Sequence, residues 1–349
     1  MAFRIKQRDI GATHPVYIIA ELSANHNQDF ELAAKTVEAA AAAGVDAVKF
    51  QTYRADTITL DSDLPHFRTR EDSPWAGQRL YDLYQKAYTP WEWQPRLKAQ
   101  AESLGLDCFS SPFDFTAIDF LEEMNVPVYK IASFEITDIP LIERAAATGK
   151  PIIISTGIAD ERDIQLAVDA CRRQGNEQIA LLKCTSAYPT PMEAVNLRTI
   201  PLLAEKYGTT VGLSDHTMGL TVPVAAVTLG ACIIEKHIIL DRELGGVDSA
   251  FSLDVAEFTA MVQAVRDTEK ALGKATLEPN AKMLSAKRSA RSLFAVAEIA
   301  AGEPLTTDNV RSLRPGLGMA PKHYHEVLGK KARTTIARGT PLSWDLLAD

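Results

Sequence analysis

The chain has 349 residues, 46% of them apolar and 23% charged, with a formal net charge of −8 at pH 7. That length exceeds what one hydrophobic core usually serves and predicts two domains, or one large barrel with an appendage. The acidic balance excludes a general nucleic-acid surface, so an anionic small substrate would have to be met by Lys or Arg gathered locally.

The opening segment MAFRIKQRDI is charged and lacks the apolar stretch of a signal peptide. No run reaches the roughly 18 apolar residues of a membrane span. A cytoplasmic protein with no membrane partner is the expectation. Cys108, Cys171, Cys184 and Cys232 show no CxxC spacing, and three of them lie in strand-like runs. Buried free thiols follow.

In chain order, a small hairpin over 2–11 precedes strands predicted at 16–22, 46–51, 106–111, 127–133, 151–156, 179–185, 210–215 and 231–237. Segments between them, such as FELAAKTVEAAAAAG and ERDIQLAVDACRRQG, are amphipathic at the helical period and closed by Gly. The last predicted helix has Asp254 as N-cap with Glu257 three residues on, and Val255, Phe258, Met261, Val262 and Val265 along one face. Eight alternating β-α units predict a (β/α)8 TIM barrel, an α/β fold. The rival is a doubly wound open sheet, whose dinucleotide-binding form is weakened because no GxGxxG turn follows the first strand.

Between the second and third strands lies a long insertion over 53–95, predicted as a loop and extra helix above the functional end of the barrel. From 274 the pattern changes. Residues 274–287 are polar and read as a linker, and 288–349 carry the short strands and Pro/Gly punctuation of a small β-rich domain. The expected division is therefore a catalytic barrel over 1–273, the linker, and the small domain.

In such barrels the C-terminal strand ends build the active site, and here nearly every strand ends polar or charged. His216 and His237 end the neighbouring seventh and eighth strands. Two imidazoles there suit a borderline divalent ion such as Mn²⁺ or Zn²⁺, with Asp215 or Glu235 as orienting groups or acids. Lys49, Lys130 and Lys183 end alternate strands and can converge on one phosphate or carboxylate, helped by the hydroxyls of Ser111, Ser133 and Ser214. A Schiff base on Lys183 is the rival chemistry. Glu21 at the rim can act as general base or stabilise a developing cation. His26 and Asn27 are weaker candidates, and His323 and His325 are expected to be solvated.

With IIAELSANHN, AVKFQT, SSPFD, YKIAS, LLKCTSAYPTP, GLSDHT and EKH in this order, the chain resembles the sialic acid synthase (nonulosonate synthase) family over essentially its full length. The tail SLFAVAEIAAGEPLTTDNVRSLRPGLG resembles that family's antifreeze-like, or SAF, domain. LYDLYQKAYTPWEW, FEITDIPLIE and RGTPLSWDL are similar to the family's pseudaminate branch.

The resemblance implies condensation of phosphoenolpyruvate (PEP) with a six-carbon acetamido sugar, in this branch 2,4-diacetamido-2,4,6-trideoxy-L-altrose. It implies that Lys49, Ser111, Lys130, Ser133 and Ser214 hold PEP, with Ser186 in the same pocket. His216 and His237 would bind a divalent metal, Mn²⁺ or alternatively Mg²⁺ or Co²⁺. Gln51, Tyr188 and Asp248 would lie near the sugar, and Glu235 joins the substrate-binding set. Glu21 would stabilise the cation at PEP C2 or direct water to it. Arg314 would reach the sugar from the partner subunit of a domain-swapped homodimer. Neuraminate and legionaminate synthesis, a lysine aldolase and a non-catalytic sugar-binding module are the competing readings. Two departures stand out: Ser186 where the neuraminate branch carries Asn, and Val247 where Pro is expected before Asp248.

Overall fold

The computed structural model describes residues 3–348 other than 72 and 74, so those two positions of the predicted insertion lie outside the described residues. The chain divides into two compact units, Met1–Gly273 and Lys274–Asp349.

In the first unit an antiparallel pair, β1 (Phe3–Ile5) and β2 (Arg8–Ile10), precedes eight parallel strands. These are β3 (Tyr17–Glu21), β4 (Ala47–Thr52), β5 (Asp107–Pro112), β6 (Tyr129–Ile131), β7 (Ile152–Ser155), β8 (Ile179–Cys184), β9 (Thr210–Asp215) and β10 (Ile233–His237). Neighbours pair in chain order and β10 closes on β3, giving a closed barrel. Every predicted strand is present, trimmed or shifted by a residue or two. The runs were visible because a strand walled by helices outside and packed side chains inside is apolar on both faces.

The helices follow the local signals. Asp29 caps Phe30–Ala43 by accepting from the amides of Glu31 and Leu32, and Gly44 ends it at φ 83°, a left-handed conformation that suits glycine. Asp254 and Glu257 form the predicted capping box of Val255–Leu272, which buries Phe258, Met261, Val262 and Val265. At the other end of the barrel, Phe3, Ile5 and Ile10 of the hairpin join the main core. Arg8 pairs with Asp46, and Lys6 lies 3.0 Å from Asp107, both residues immediately at strand starts. The hairpin thus covers the N-terminal mouth, which leaves the C-terminal mouth for chemistry.

The insertion after β4 contains the expected extra helix, Leu80–Ala87, with Leu83 and Ala87 buried. An isolated antiparallel bridge between Arg68 and Arg79 closes the loop before it.

The second unit holds the antiparallel pair β11 (Ser292–Ala295) and β12 (Val310–Leu313). Isolated bridges such as Ile299–Ile336 and Ala332–Leu347 extend it. Its core gathers Leu293, Ile299, Leu305, Val310, Ile336 and Leu342. Within 274–287, where the sequence shows no sustained period, a short helix forms over Ala281–Ala286, capped by Asn280 and without a buried residue. Among the described residues no helix is long and apolar enough to cross a membrane. All four cysteines are free and buried, as expected.

Candidate active site

Register decides which strand residues face the barrel interior, because partners on adjacent parallel strands point the same way and successive residues along one strand point oppositely. His237 pairs with Glu21, Glu21 with Lys49, and Lys49 with Phe109, which puts Ser111 on the same face. Ser110 opposite Tyr129 places Lys130 inside, and Lys130 opposite Ile153 places Ser155 inside. Ser155 pairs with Leu182, Cys184 with Ser214, and Ser214 with Glu235. The parity closes without a fault.

One expectation is overturned by the same reasoning. Lys183 lies between Leu182 and Cys184 and so points out of the barrel, where its Nζ donates to the Cys184 carbonyl and, at 3.1 Å, to Thr185 Oγ1. The predicted trio of converging ammonium groups is a pair, Lys49 and Lys130. A Schiff base on Lys183 loses its access to the interior. Asp215 is corrected too. It faces outward, ion-paired with Lys236 and accepting from the Thr217 amide at 2.9 Å, and is not directed at either imidazole.

The interior quartet is nearly sealed, with Glu21 at 1%, Lys49 at 3%, Lys130 at 2% and Glu235 at 5% exposure. Lys49 forms a close ion pair with Glu21, donates to Ser111 Oγ at 3.2 Å and lies 3.7 Å from Glu235 Oε1. Lys130 lies 3.5 Å from that same Oε1. Burial alone would push the Glu235 carboxyl up, but Lys130 and Lys49 outweigh it and hold it below the ordinary range. Burial pushes Lys130 below the ordinary lysine range, offset only in part by Glu235. Glu235 Oε2 has no hydrogen-bond partner among the described residues.

The two imidazoles come together, with ring centroids 5.3 Å apart. His216 Nδ1 lies 3.3 Å from the Thr185 carbonyl and 4.0 Å from Cys184 Sγ. A backbone carbonyl acceptor there favours the Nδ1–H tautomer and leaves Nε2 as the lone pair. His237 Nδ1 is buried without a partner among the described residues, and burial pushes this ring well below its ordinary pKa. A neutral imidazole with an unpaired nitrogen beside a second imidazole fits a divalent cation. Among the described residues no group of three or more His, Cys, Asp or Glu side chains is placed to hold one, so the pair offers two ligands of an open shell.

The hydroxyls and the sugar-side residues cluster as well. Ser133 Oγ accepts from the Gly157 amide at 2.8 Å. A Cβ on Gly157 would stand 2.4 Å from that oxygen and 2.3 Å from Ser186 Oγ, so only glycine permits this close gathering. Gln51 Nε2 donates to Ser23 Oγ at 3.1 Å, and Ser23 donates in turn to Asp248. Asp248 also accepts from the Ala24 amide at 3.3 Å, so the loop presenting it is anchored despite Val247. Tyr188 lies 4.5 Å from the His216 ring. Arg314 belongs to the second unit and is exposed.

Residues 36–276 match the NeuB family model. The chain belongs to the NeuB family. Residues 290–348 match the SAF domain. A pseudaminic acid synthase of Helicobacter pylori is 49% identical over 95% of this chain and 97% of its own length. An N,N'-diacetyllegionaminic acid synthase of Legionella pneumophila is 36% identical over 96% of this chain and 95% of its own. Among solved structures, the N-acetylneuraminic acid synthetase of Leptospira borgpetersenii, in complex with citrate, superposes with a TM-score of 0.72 at 33% identity, covering 82% of this chain and 94% of that one.

Within this NeuB-family barrel, three interior or rim residues escaped the sequence reading's choice of site. Ser155 Oγ is buried without a partner among the described residues; it is legible in the sequence as a polar strand end, and the register adds that it faces the interior. Glu135 closes the short 3₁₀ turn after β6, and burial pushes its carboxyl up to about 7. Because it follows the strand rather than ending it, no strand-end rule selects it. Trp75 sits in the aperiodic insertion.

Proposed function

We propose that this chain is a synthase that joins PEP to 2,4-diacetamido-2,4,6-trideoxy-L-altrose, giving pseudaminate and phosphate. The observation that carries the reading is a two-ended interior: two buried ammonium groups beside an unpaired carboxylate oxygen, and two imidazoles 5.3 Å apart. The 49% identity to the H. pylori enzyme selects the pseudaminate branch.

In this reading Lys49 and Lys130 neutralise the phosphate and carboxylate of PEP, and the hydroxyls of Ser111, Ser133, Ser186 and Ser214 orient them. Arrival of the anion lets both ammonium groups turn from Glu235 to the ligand. PEP C3 bonds to the sugar aldehyde carbon as its C=O π bond opens to an oxyanion that takes up a proton, which leaves a positive centre at PEP C2. Glu21, fixed by Lys49 and the Ser23 amide at 2.9 Å, stabilises that centre or directs water to it. Water adds at C2 and releases the proton that balances the oxyanion, and the tetrahedral centre collapses to the C2 ketone as its C–O bond to phosphate breaks. His216 and His237 hold a divalent cation, Mn²⁺ before Mg²⁺ or Co²⁺, which when bound supplies Lewis-acid polarisation of the sugar carbonyl. Gln51, Tyr188 and Asp248 position the acceptor. The proposal extends to a cytoplasmic, domain-swapped homodimer in which Arg314 of one copy serves the other. That part is supported by the family resemblance, and light scattering tests it.

The functional test is phosphate release from PEP with three acceptors: the altrose derivative, N-acetylmannosamine, and the diacetamido sugar that leads to legionaminate. Preference for the first, abolished by EDTA and returned by Mn²⁺, is expected. Preference for another acceptor replaces the branch assignment, and turnover unaffected by chelator removes the metal from the reading.

A further inference from the structure

The insertion after β4 carries an indole that neither the barrel nor its buried charges require. Trp75 is half-buried, its Nε1–H donates to the Val247 carbonyl at 2.9 Å, and its ring lies 6.3 Å from that of Tyr188. Tyr188 lies 4.5 Å from His216 and 5.0 Å from Phe251, and Phe251 lies 5.1 Å from His237. A line of rings therefore leads from the imidazole pair outward to Trp75.

The loop that presents this indole is built rather than incidental. Ser73 Oγ accepts from the Trp75 amide at 3.3 Å, and Thr69 Oγ1 donates to the Trp75 carbonyl at 2.6 Å. Both backbone groups of Trp75 are thus tied locally. Its only polar side-chain atom is occupied by Val247, so what the indole can offer a ligand is an apolar face. Val247 directly precedes Asp248, whose carboxylate is held by Ser23 and Ala24. Through the Val247 carbonyl, the indole is therefore tied to the loop that carries this carboxylate.

We infer that Trp75 is a specificity-determining residue for the acceptor. With Tyr188 it forms an aromatic wall that takes the hydroxyl-poor, methyl-bearing part of an acetamido sugar. This rests on the synthase reading above, and on the insertion's indole as its own observation.

The test is steady-state phosphate release by the full-length enzyme with PEP and the trideoxy diacetamido hexose, comparing wild type, Trp75→Ala and Trp75→Phe. Even one methylene of apolar contact in a pocket is worth about 10–200-fold in kcat/KM. Trp75→Ala is expected to raise the acceptor KM within that range while the PEP KM stays where it is. Trp75→Phe keeps an aromatic face but loses the N–H, and it is expected to retain most of the wild-type acceptor KM. An acceptor KM unchanged in Trp75→Ala overturns the inference. So does a Phe variant as impaired as the Ala variant, because the role then lies in the hydrogen bond to Val247. If Trp75→Ala does not accumulate, Trp75→Gln takes its place with the same expectations, since it keeps a donor and loses the ring. A wild type that releases no phosphate with any acetamido sugar ends the synthase reading and the inference with it. An active wild type with an unaffected variant ends the inference alone.

Discussion

Glu235→Gln removes the charge that two buried ammonium groups share while keeping the side chain's volume. In the native interior Lys49 and Lys130 stand 3.7 and 3.5 Å from Glu235 Oε1, and Glu21 is the second counter-ion of Lys49. After the substitution, Lys49 keeps Glu21, and Lys130 keeps no carboxylate within ion-pair distance among the described residues. A pair of unit charges near 4 Å is worth about 4 kcal/mol at an effective dielectric constant of about 20, so about 8 kcal/mol of attraction is lost. Relief from desolvating the carboxylate returns several kcal/mol, and the net loss falls near the 3–5 kcal/mol typical of breaking a buried pair (about 3–5 here).

Because burial already depresses Lys130, that lysine gives up its proton first, and the deficit narrows as pH rises toward its solution value. A phosphate-bearing ligand supplies the missing negative charge. PEP or inorganic phosphate should therefore stabilise the variant more than the wild type. Urea unfolding with and without PEP measures both effects. A variant as stable as the wild type, or one that PEP stabilises no further than it does the wild type, refutes the charge-balance argument.

His216→Ala and His237→Ala should each abolish high-affinity manganese binding in calorimetry while circular dichroism shows an intact barrel; unchanged affinity in either removes that residue from the metal site. Gly157→Ala forces Ser133 and Ser186 apart, at a stability cost of about 1–3 kcal/mol from overpacking, and PEP affinity should drop about tenfold, or about 1.4 kcal/mol; ligand titration with normal PEP affinity would show that these hydroxyls do not hold it. Glu135, raised to about 7, contributes stability that is present below the ordinary carboxyl range and lost as pH rises through about 7. Thermal unfolding of Glu135→Gln should lack that decline, and parallel wild-type and variant curves would contradict it.

The barrel was legible because each strand is a short apolar run closed by polar residues, and that pattern depends only on burial. Caps were legible for a similar reason: Asp254 with Glu257 is a local hydrogen-bond arrangement that sequence spacing alone determines. What sequence could not supply was parity. IALLKC and DAVKFQ both place a lysine near a strand's end, yet Lys49 faces inward and Lys183 outward. The difference lies in the pairing of Lys183 with Leu213 and of Cys184 with Ser214, which are tertiary facts. Glu135 and Trp75 were missed on other grounds, since one follows its strand in a turn and the other lies where no periodicity guides the reading.

The strand Ile233–His237 shows how satisfaction of buried groups separates scaffold from site. Its three polar residues are all nearly inaccessible, so each should be costly unless paired. Lys236 is paired: it faces outward, bound to Asp215 and to the Thr217 carbonyl, and Asp215 is itself completed by Thr217. Nothing further is asked of that group, and its role is structural. Glu235 and His237 face inward and are left incomplete, at Oε2 and Nδ1. Ser155 Oγ and Ser186 Oγ, at neighbouring strand ends and rim, are incomplete in the same way. Buried polar atoms are rarely left without a hydrogen bond; Thr209 Oγ1 just before a strand and Arg79 Nε in the insertion are scattered cases, whereas these four share the C-terminal mouth, where this fold carries its chemistry. An enzyme that must receive an anion, a cation and a polar sugar needs such unmet partners, because only groups not already satisfied by the protein can gain by turning to a ligand.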